Sequence, residues 1–273
     1  MATLSNYLFV SGALLLLFAF MLSVAYTTLL AVGRRAVVAP QLATAGPEGA
    51  APSIDEPQGV PGADTLAGLA HGLTWASFLL MAGSLVARAV IVERGPWGNM
   101  YEFSIAFAVG ILGGYLFLQR RYPIRSIAFL PLGVALFLVG YASTLPATIE
   151  PLVPALDNPP LLTVHVAMAM IAYGVLAVSF GAAVGYLAQG PDDRFDWLPS
   201  HKVLDDVAYR SVVIGFPIFA TMIILGSYWA SIAWGRYWGW DPKETSALVT
   251  WLIYAVYLHA RSQPNWRGRP AAL

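Results

Sequence analysis

Trp234-Gly-Arg-Tyr-Trp-Gly-Trp-Asp-Pro-Lys-Glu-Thr245 is the stretch from which the rest of the chain is read, because it stands between two long apolar segments, Ser211–Ser231 and Ser246–His259. Four large rings, Trp234, Tyr237, Trp238 and Trp240, offer flat apolar faces with polar edges, and Gly235 and Gly239 let the backbone lie close to whatever those rings cover. A flat, hydrophobic, partly polar ligand suits such a surface. Trp and Tyr also gather at membrane interfaces whatever a protein does, so an aromatic belt is the competing reading of the rings taken singly. A belt leaves Asp241-Pro-Lys-Glu-Thr245 unexplained. That segment reads as a turn with Pro242 at the first position of the next helix and Glu244 in its first turn, where the helix dipole favours negative charge.

Working outward, the composition is that of a membrane protein. Of 273 residues, 58% are hydrophobic and 11% charged, with a mean hydropathy of +0.65, against roughly 25% charged residues in an ordinary soluble domain. Apolar runs near the roughly 20 residues that span a bilayer as helix recur along the chain. The predicted spans are Tyr7–Val32, Leu66–Val92, Phe103–Leu118, Ser126–Ser143, Leu161–Ala188, Ser211–Ser231 and Ser246–His259. The expected fold is therefore an all-α polytopic integral membrane protein of about seven transmembrane helices. Residues 1–33 read as an N-terminal transmembrane anchor helix, uncleaved because no basic residue precedes its apolar core. Residues 34–65, rich in Pro, Gly and Ala without hydrophobic periodicity, read as a flexible cytoplasmic linker. Residues 66–273 form the main transmembrane domain.

Basic residues orient the chain, since short cytoplasmic loops are enriched in Lys and Arg. Alternate connections carry Arg34 and Arg35; Arg120, Arg121 and Arg125; Arg194, Lys202 and Arg210; and Arg261, Arg267 and Arg269, which is eleven of the 15 basic residues. The N-terminus, the loop around Trp97, the loop 144–160 and the Trp-rich loop are thus expected on the outer face. A net charge of zero gives no reason to expect nucleic acid as a partner, and the absence of cysteine excludes disulfides, thiolate metal sites and a thiol nucleophile within this chain. No phosphate-cradling glycine motif or Gly-x-Ser-x-Gly elbow is present.

Four histidines remain to be placed. His165 lies near the outer start of the fifth span, on the side of the Trp-rich loop; it is either a metal ligand or a histidine hydrogen-bonded at the membrane interface. His259 lies at the inner end of the seventh span. The helix from Thr245 to His259 rises about 21 Å, so the two histidines cannot share one metal ion. An interface residue beside Arg261 is the plainer role for His259. His71 is expected to be structural and His201, in a polar inner loop, to be solvated.

The run from Trp234 to Thr245 resembles the "WWD" signature of the haem-handling proteins of cytochrome c biogenesis, and its Pro-Lys-Glu-Thr ending resembles the system II synthetase subunit of CcsA/ResC type. The resemblance continues in His165-Val-x-Met after a Pro-rich outer loop, in Tyr257-Leu-His259, and in Pro96-Trp-Gly-Asn-Met-Tyr-Glu102. It implies a cytochrome c haem lyase (synthetase) complex whose cofactor is haem b and whose other members are a companion membrane subunit of CcsB/ResB type and apocytochrome c. It implies His165 as an outer iron ligand and His259 as ligand of a second haem held within the membrane. Trp234, Tyr237, Trp238, Trp240 and Asp241 then form the platform. Arg236 and Lys243, cationic and beside the platform, are the propionate candidates; either also suits a lipid phosphate. Asn99 and Glu102 are open between contact to propionates and a plain helix-starting turn. The expected setting is a bacterial cell membrane in preference to a thylakoid. Members of this family continue with a further span and a second external histidine where this chain stops at Leu273, so a fragment or an incomplete outer site is expected. A haem exporter without ligase role and a non-catalytic docking factor are the rival functions.

Overall fold

A computed structural model describes residues 2–44, 60–149, 159–190 and 192–263. The described residues form seven helices: α1 (Ala2–Thr44), α2 (Ala63–Val92), α3 (Met100–Gln119), α4 (Phe129–Ser143), α5 (Pro159–Gln189), α6 (His201–Trp234) and α7 (Pro242–Arg261), with one 3-10 turn, Arg125–Ile127, before α4. Among the described residues α1 to α6, with α4 counted together with the 3-10 turn that precedes it, are long and apolar enough to cross a membrane. Helix α7 has the length, 20 residues or about 30 Å, but Thr245, Ser246, Thr250, Tyr254 and Tyr257 dilute its hydropathy. The polytopic helical architecture expected from composition is the one observed.

Helices α1 and α2 pack along each other, as do α5 and α6, and α3 with α4 lies between these pairs. Helix α3 is the centre: 67% of its most apolar window is buried, against 44% or less for the other spans. Without water to drive apolar faces together, membrane helices associate through small residues and interhelical hydrogen bonds, and both devices are present. At the α3–α5 crossing a Cβ on Gly110 would lie 2.5 Å from the carbonyl oxygen of Met170, and one on Gly174 would strike the carbonyl of Gly110. Between α1 and α2, Ser5 and Ser84 exchange hydrogen bonds, and Ser77 donates to the carbonyl of Gly12 at 2.8 Å. Thr27 ties α1 to the 3-10 turn through the carbonyl of Ser126, and Ser179 ties α5 to the carbonyl of Ala208 on α6.

The first helix extends beyond the expected span, to Thr44; Arg34, Arg35 and the Ala-Val run after them carry no helix-breaking signal until Pro40. The middle of the expected linker, residues 45–59, lies outside the described residues, as do residues 264–273. Because the helices alternate in direction, α1, α3, α5 and α7 begin at one end of the bundle, where α2, α4 and α6 finish. This is the Trp-rich end. Helix α7 rests mainly on α6, through Trp251 stacked on Phe216 (4.9 Å, 11°) and a cluster that includes Met222, Tyr254 and Leu258.

Candidate haem site at the Trp-rich end

Helix α6 stops at Trp234 because Gly235 takes the left-handed conformation, φ 70°, which ends helices at little steric cost to glycine. The chain then doubles back, and Ser227 Oγ donates to the carbonyl of Tyr237 at 2.8 Å. Trp240 also has positive φ, 59°, a conformation that costs a non-glycine residue of order 1 kcal/mol or more unless its surroundings impose it. Two carboxylates do so. Asp241 caps α7, its Oδ1 accepting from the backbone N–H of Lys243 (2.7 Å) and Glu244 (2.8 Å), with Pro242 following it at the first helical position. Glu244 reaches back across the turn, its Oε2 accepting from the N–H of Gly239 at 2.7 Å. Asp241 is thus occupied with holding the loop, and the aspartate and glutamate together aim the tryptophans.

Trp234, Tyr237 and Trp240 are 57%, 63% and 69% exposed, an unusual state for three large rings in one turn. Trp238 is half-buried and meets Trp240 edge to face at 5.9 Å, while Trp234 meets Trp229 in the same way at 6.0 Å. The buried indole Nε1 atoms of Trp229 and Trp238 make no hydrogen bond among the described residues. Arg236 and Lys243 are exposed and have no ion-pair partner among the described residues.

His165 lies on α5, half-buried, with its ring pressed against α6. Its Nδ1 is 2.9 Å from the carbonyl oxygen of Met222. A carbonyl oxygen can only accept, so Nδ1 carries the proton and Nε2 keeps its lone pair. Orientation of one ring nitrogen by a backbone carbonyl is how metal-binding histidines are commonly held. The ring fits because residue 226 is glycine: a Cβ there would lie 2.7 Å from His165 Cε1. Gly226 is the neighbour of Ser227, which anchors Tyr237. One turn of α6 therefore supports both His165 and the returning Trp-rich loop. Exposed aromatic faces, unpaired cations and an imidazole nitrogen with a lone pair together fit a planar dianionic ligand carrying an iron.

The other histidines fall elsewhere. His259 is exposed in the last turn of α7, at the opposite end of the bundle from His165. Nearby, Arg261 makes a bidentate pair with Asp205 (2.7 and 2.9 Å) and lies over the ring of Tyr209, fixing this end of α7 to α6. His71 Nδ1 is 3.3 Å from Gln119 Oε1, and its ring meets Trp75 edge-on, which is a structural role. His201 is not simply solvated: Asp193 Oδ1 lies 3.0 Å from its Nδ1 and accepts its backbone N–H. No cluster of three or more His, Asp or Glu able to hold a bare metal ion occurs among the described residues.

Sequence reasoning left Asn99 and Glu102 between two roles, and they divide. Asn99 is the N-cap of α3, its Oδ1 accepting from the N–H of Glu102 at 2.9 Å. Glu102 is fully buried against Arg88 and does not face a ligand. The pairing of Glu102 with Arg88 and the part played by Gly226 were not read from the sequence. The available signals were an arginine inside an apolar span and a glycine inside the apolar half of α6.

The family model described as cytochrome C assembly protein matches residues 97–273. Among curated proteins the chain is similar to cytochrome c biogenesis protein CcsA of Guillardia theta, 34% identical over 211 residues that cover 67% of this chain and 70% of the relative. It is also similar to the CcsA proteins of Pyropia yezoensis (32% over 224 residues, 65% and 70%) and Gloeothece citriformis (30% over 250 residues, 71% and 76%).

Proposed function

The chain belongs to the cytochrome c assembly protein family and has its role in cytochrome c biogenesis as a membrane protein, and on that premise we propose that it holds haem b at its Trp-rich end and presents it to apocytochrome c. The observation that carries the reading is the posture of His165. With Nδ1–H committed to Met222, its Nε2 is left as an iron ligand beside the aromatic loop. Bound haem supplies an iron that accepts an imidazole nitrogen and vinyl groups to which cysteine thiols add.

The chain's own residues bind, orient and exclude water. Trp234, Tyr237, Trp238 and Trp240 cover the macrocycle. Arg236 and Lys243 pair with the propionates, where charge-assisted hydrogen bonds are strongest. Asp241 acts through the loop it caps. His259, at the far end of α7, is the candidate ligand of a second haem on its way outward. The Trp-rich end and the N-terminus face outward from a bacterial cell membrane, an orientation supported by the arginine-rich connections at the opposite end. The partners are a companion membrane subunit of CcsB/ResB type and an apocytochrome whose Cys-x-x-Cys-His segment brings its own imidazole and thiols.

Capture of a Cys-x-x-Cys-His peptide by the haem-loaded protein tests the presentation step. Capture should weaken about tenfold in Trp240→Ala, as for an exposed aromatic anchor, and should require haem. Haem without capture would support an exporter, and capture indifferent to haem would support a docking factor.

A further inference from the structure

A buried ion pair lies at the Trp-rich end, beyond the residues assigned to the ligand. Arg88 on α2 and Glu102 on α3 have side chains 1% and 0% exposed. Glu102 Oε1 accepts from Arg88 Nε at 3.0 Å, and Oε2 accepts from the N–H of Gly98 at 2.7 Å, with Arg94 Nη1 3.6 Å from that oxygen. Arg88 also donates through Nη2 to the carbonyl of Ala147 at 3.1 Å, and its guanidinium lies 5.0 Å over the ring of Tyr101. Asn99, in the turn that Glu102 holds, donates to the carbonyl of Thr148 at 3.2 Å. The same turn reaches α5: the N–H of Gly95 donates to Thr163 Oγ1 at 3.2 Å, two residues before His165.

Stability alone does not call for such a pair. Two charges removed from water lose hydration that their attraction barely offsets, and apolar residues of similar volume often serve as well. Within a membrane-spanning bundle, retained buried charges mark function. What arginine provides and an apolar side chain cannot is a rigid planar fork that engages a carboxylate and a carbonyl at once. Here the carboxylate belongs to α3 and the carbonyl to the connection between α4 and α5. The pair therefore ties residues 145–149 directly to α2 and α3, and reaches the first turn of α5 through the turn that Glu102 holds, by way of Gly95 and Thr163.

We propose that Arg88 and Glu102 are positioning residues for the haem site, holding residues 145–149 and, through the turn before α3, the start of α5 so that His165 stands beside the Trp-rich loop. The inference rests on His165 as haem ligand. Neither side chain touches the ligand.

The test is the double variant Arg88→Met/Glu102→Leu, which removes both charges at similar volume so that neither ion is left buried without the other, made in the full chain. Since the protein has no cysteine, spin labels at Met100→Cys and Ile149→Cys, both exposed positions, report the α3-to-connection distance without background. The expected result is parental folded yield, a broadened label-distance distribution, and outer haem reduced about tenfold, as for loss of an outer-shell partner of a metal ligand, with partial recovery in added imidazole. An unchanged distance distribution, or parental haem despite a broadened one, overturns the proposal. Should the double variant not fold, Arg88→Lys keeps the charge and loses the fork: broadened distances with reduced haem at normal yield support the proposal, and unchanged distances or parental haem overturn it. A parent protein without haem would remove the His165 reading, and the label distances would still show whether the pair holds the segment.

Discussion

His165→Ala is expected to empty the outer haem site, lowering haem at the Trp-rich end and cytochrome c output by ten- to a hundredfold, the range of roughly 10–100 seen when metal-site ligation is disturbed. Two features of the ring's surroundings make the effect this large. The Nδ1–H bond to Met222 sets the tautomer, so Nε2 is available without a proton to displace. The contact with Gly226 sets the ring plane. Exogenous imidazole should refill the iron position in the alanine variant and recover part of the output, because the aromatic and cationic parts of the site are untouched. Gly226→Ala probes the same geometry from the other side. Alanine favours helix by about 1 kcal/mol over glycine, yet its Cβ would press on His165 Cε1, so this variant should lose haem without losing helix. Haem content and output unchanged in His165→Ala would remove His165 from the site.

Gly174→Val should be the most damaging single substitution in the bundle. Gly174 meets the backbone of Gly110 across the α3–α5 crossing, and Gly114 packs 3.0 Å from the carbonyl group of Gly174 when a Cβ is placed on it. Backbone cannot rotate away as a side chain can, so the two helices must separate. Overpacking of this kind costs about 3 kcal/mol or more, and here it falls on the most buried helix of the protein. The measurement is folded yield and thermal unfolding in detergent. Gly140→Ala, where nothing lies within 4 Å of the added Cβ, is the neutral control. Equal yields for Gly174→Val and Gly140→Ala would mean that the crossing is looser than described.

Much of this fold is legible in the chain itself because membrane helices are specified by length and composition, which are local properties. The first six spans were placed to within a few residues except at the C-terminal end of α1 and the N-terminal end of α6, where helix continues past charged residues that bound the apolar run: α1 past Gly33 to Thr44, and α6 back to His201. The Asp-Pro signal for the start of α7 was equally local, and Asp241 caps that helix. What stayed hidden depends on partners distant in sequence. Gly226 looks like any glycine in an apolar helix until the ring 61 positions earlier is laid against it. Glu102 looks like a helix-starting carboxylate until Arg88, Gly98 and the α4–α5 connection close around it. His201 was read as solvated because nothing in its own neighbourhood of sequence shows that Asp193 folds back onto it.

The central claim is that this chain holds haem through His165 beside the Trp-rich loop. The absorption spectrum of the detergent-purified protein, oxidised and reduced, expressed with and without a companion subunit of CcsB/ResB type, tests it most directly. The account predicts a Soret band with the α and β bands of low-spin haem in the reduced protein, weakened in His165→Ala and restored by imidazole. Purified protein with no Soret band under either expression condition, or a spectrum identical in parent and His165→Ala, would contradict it.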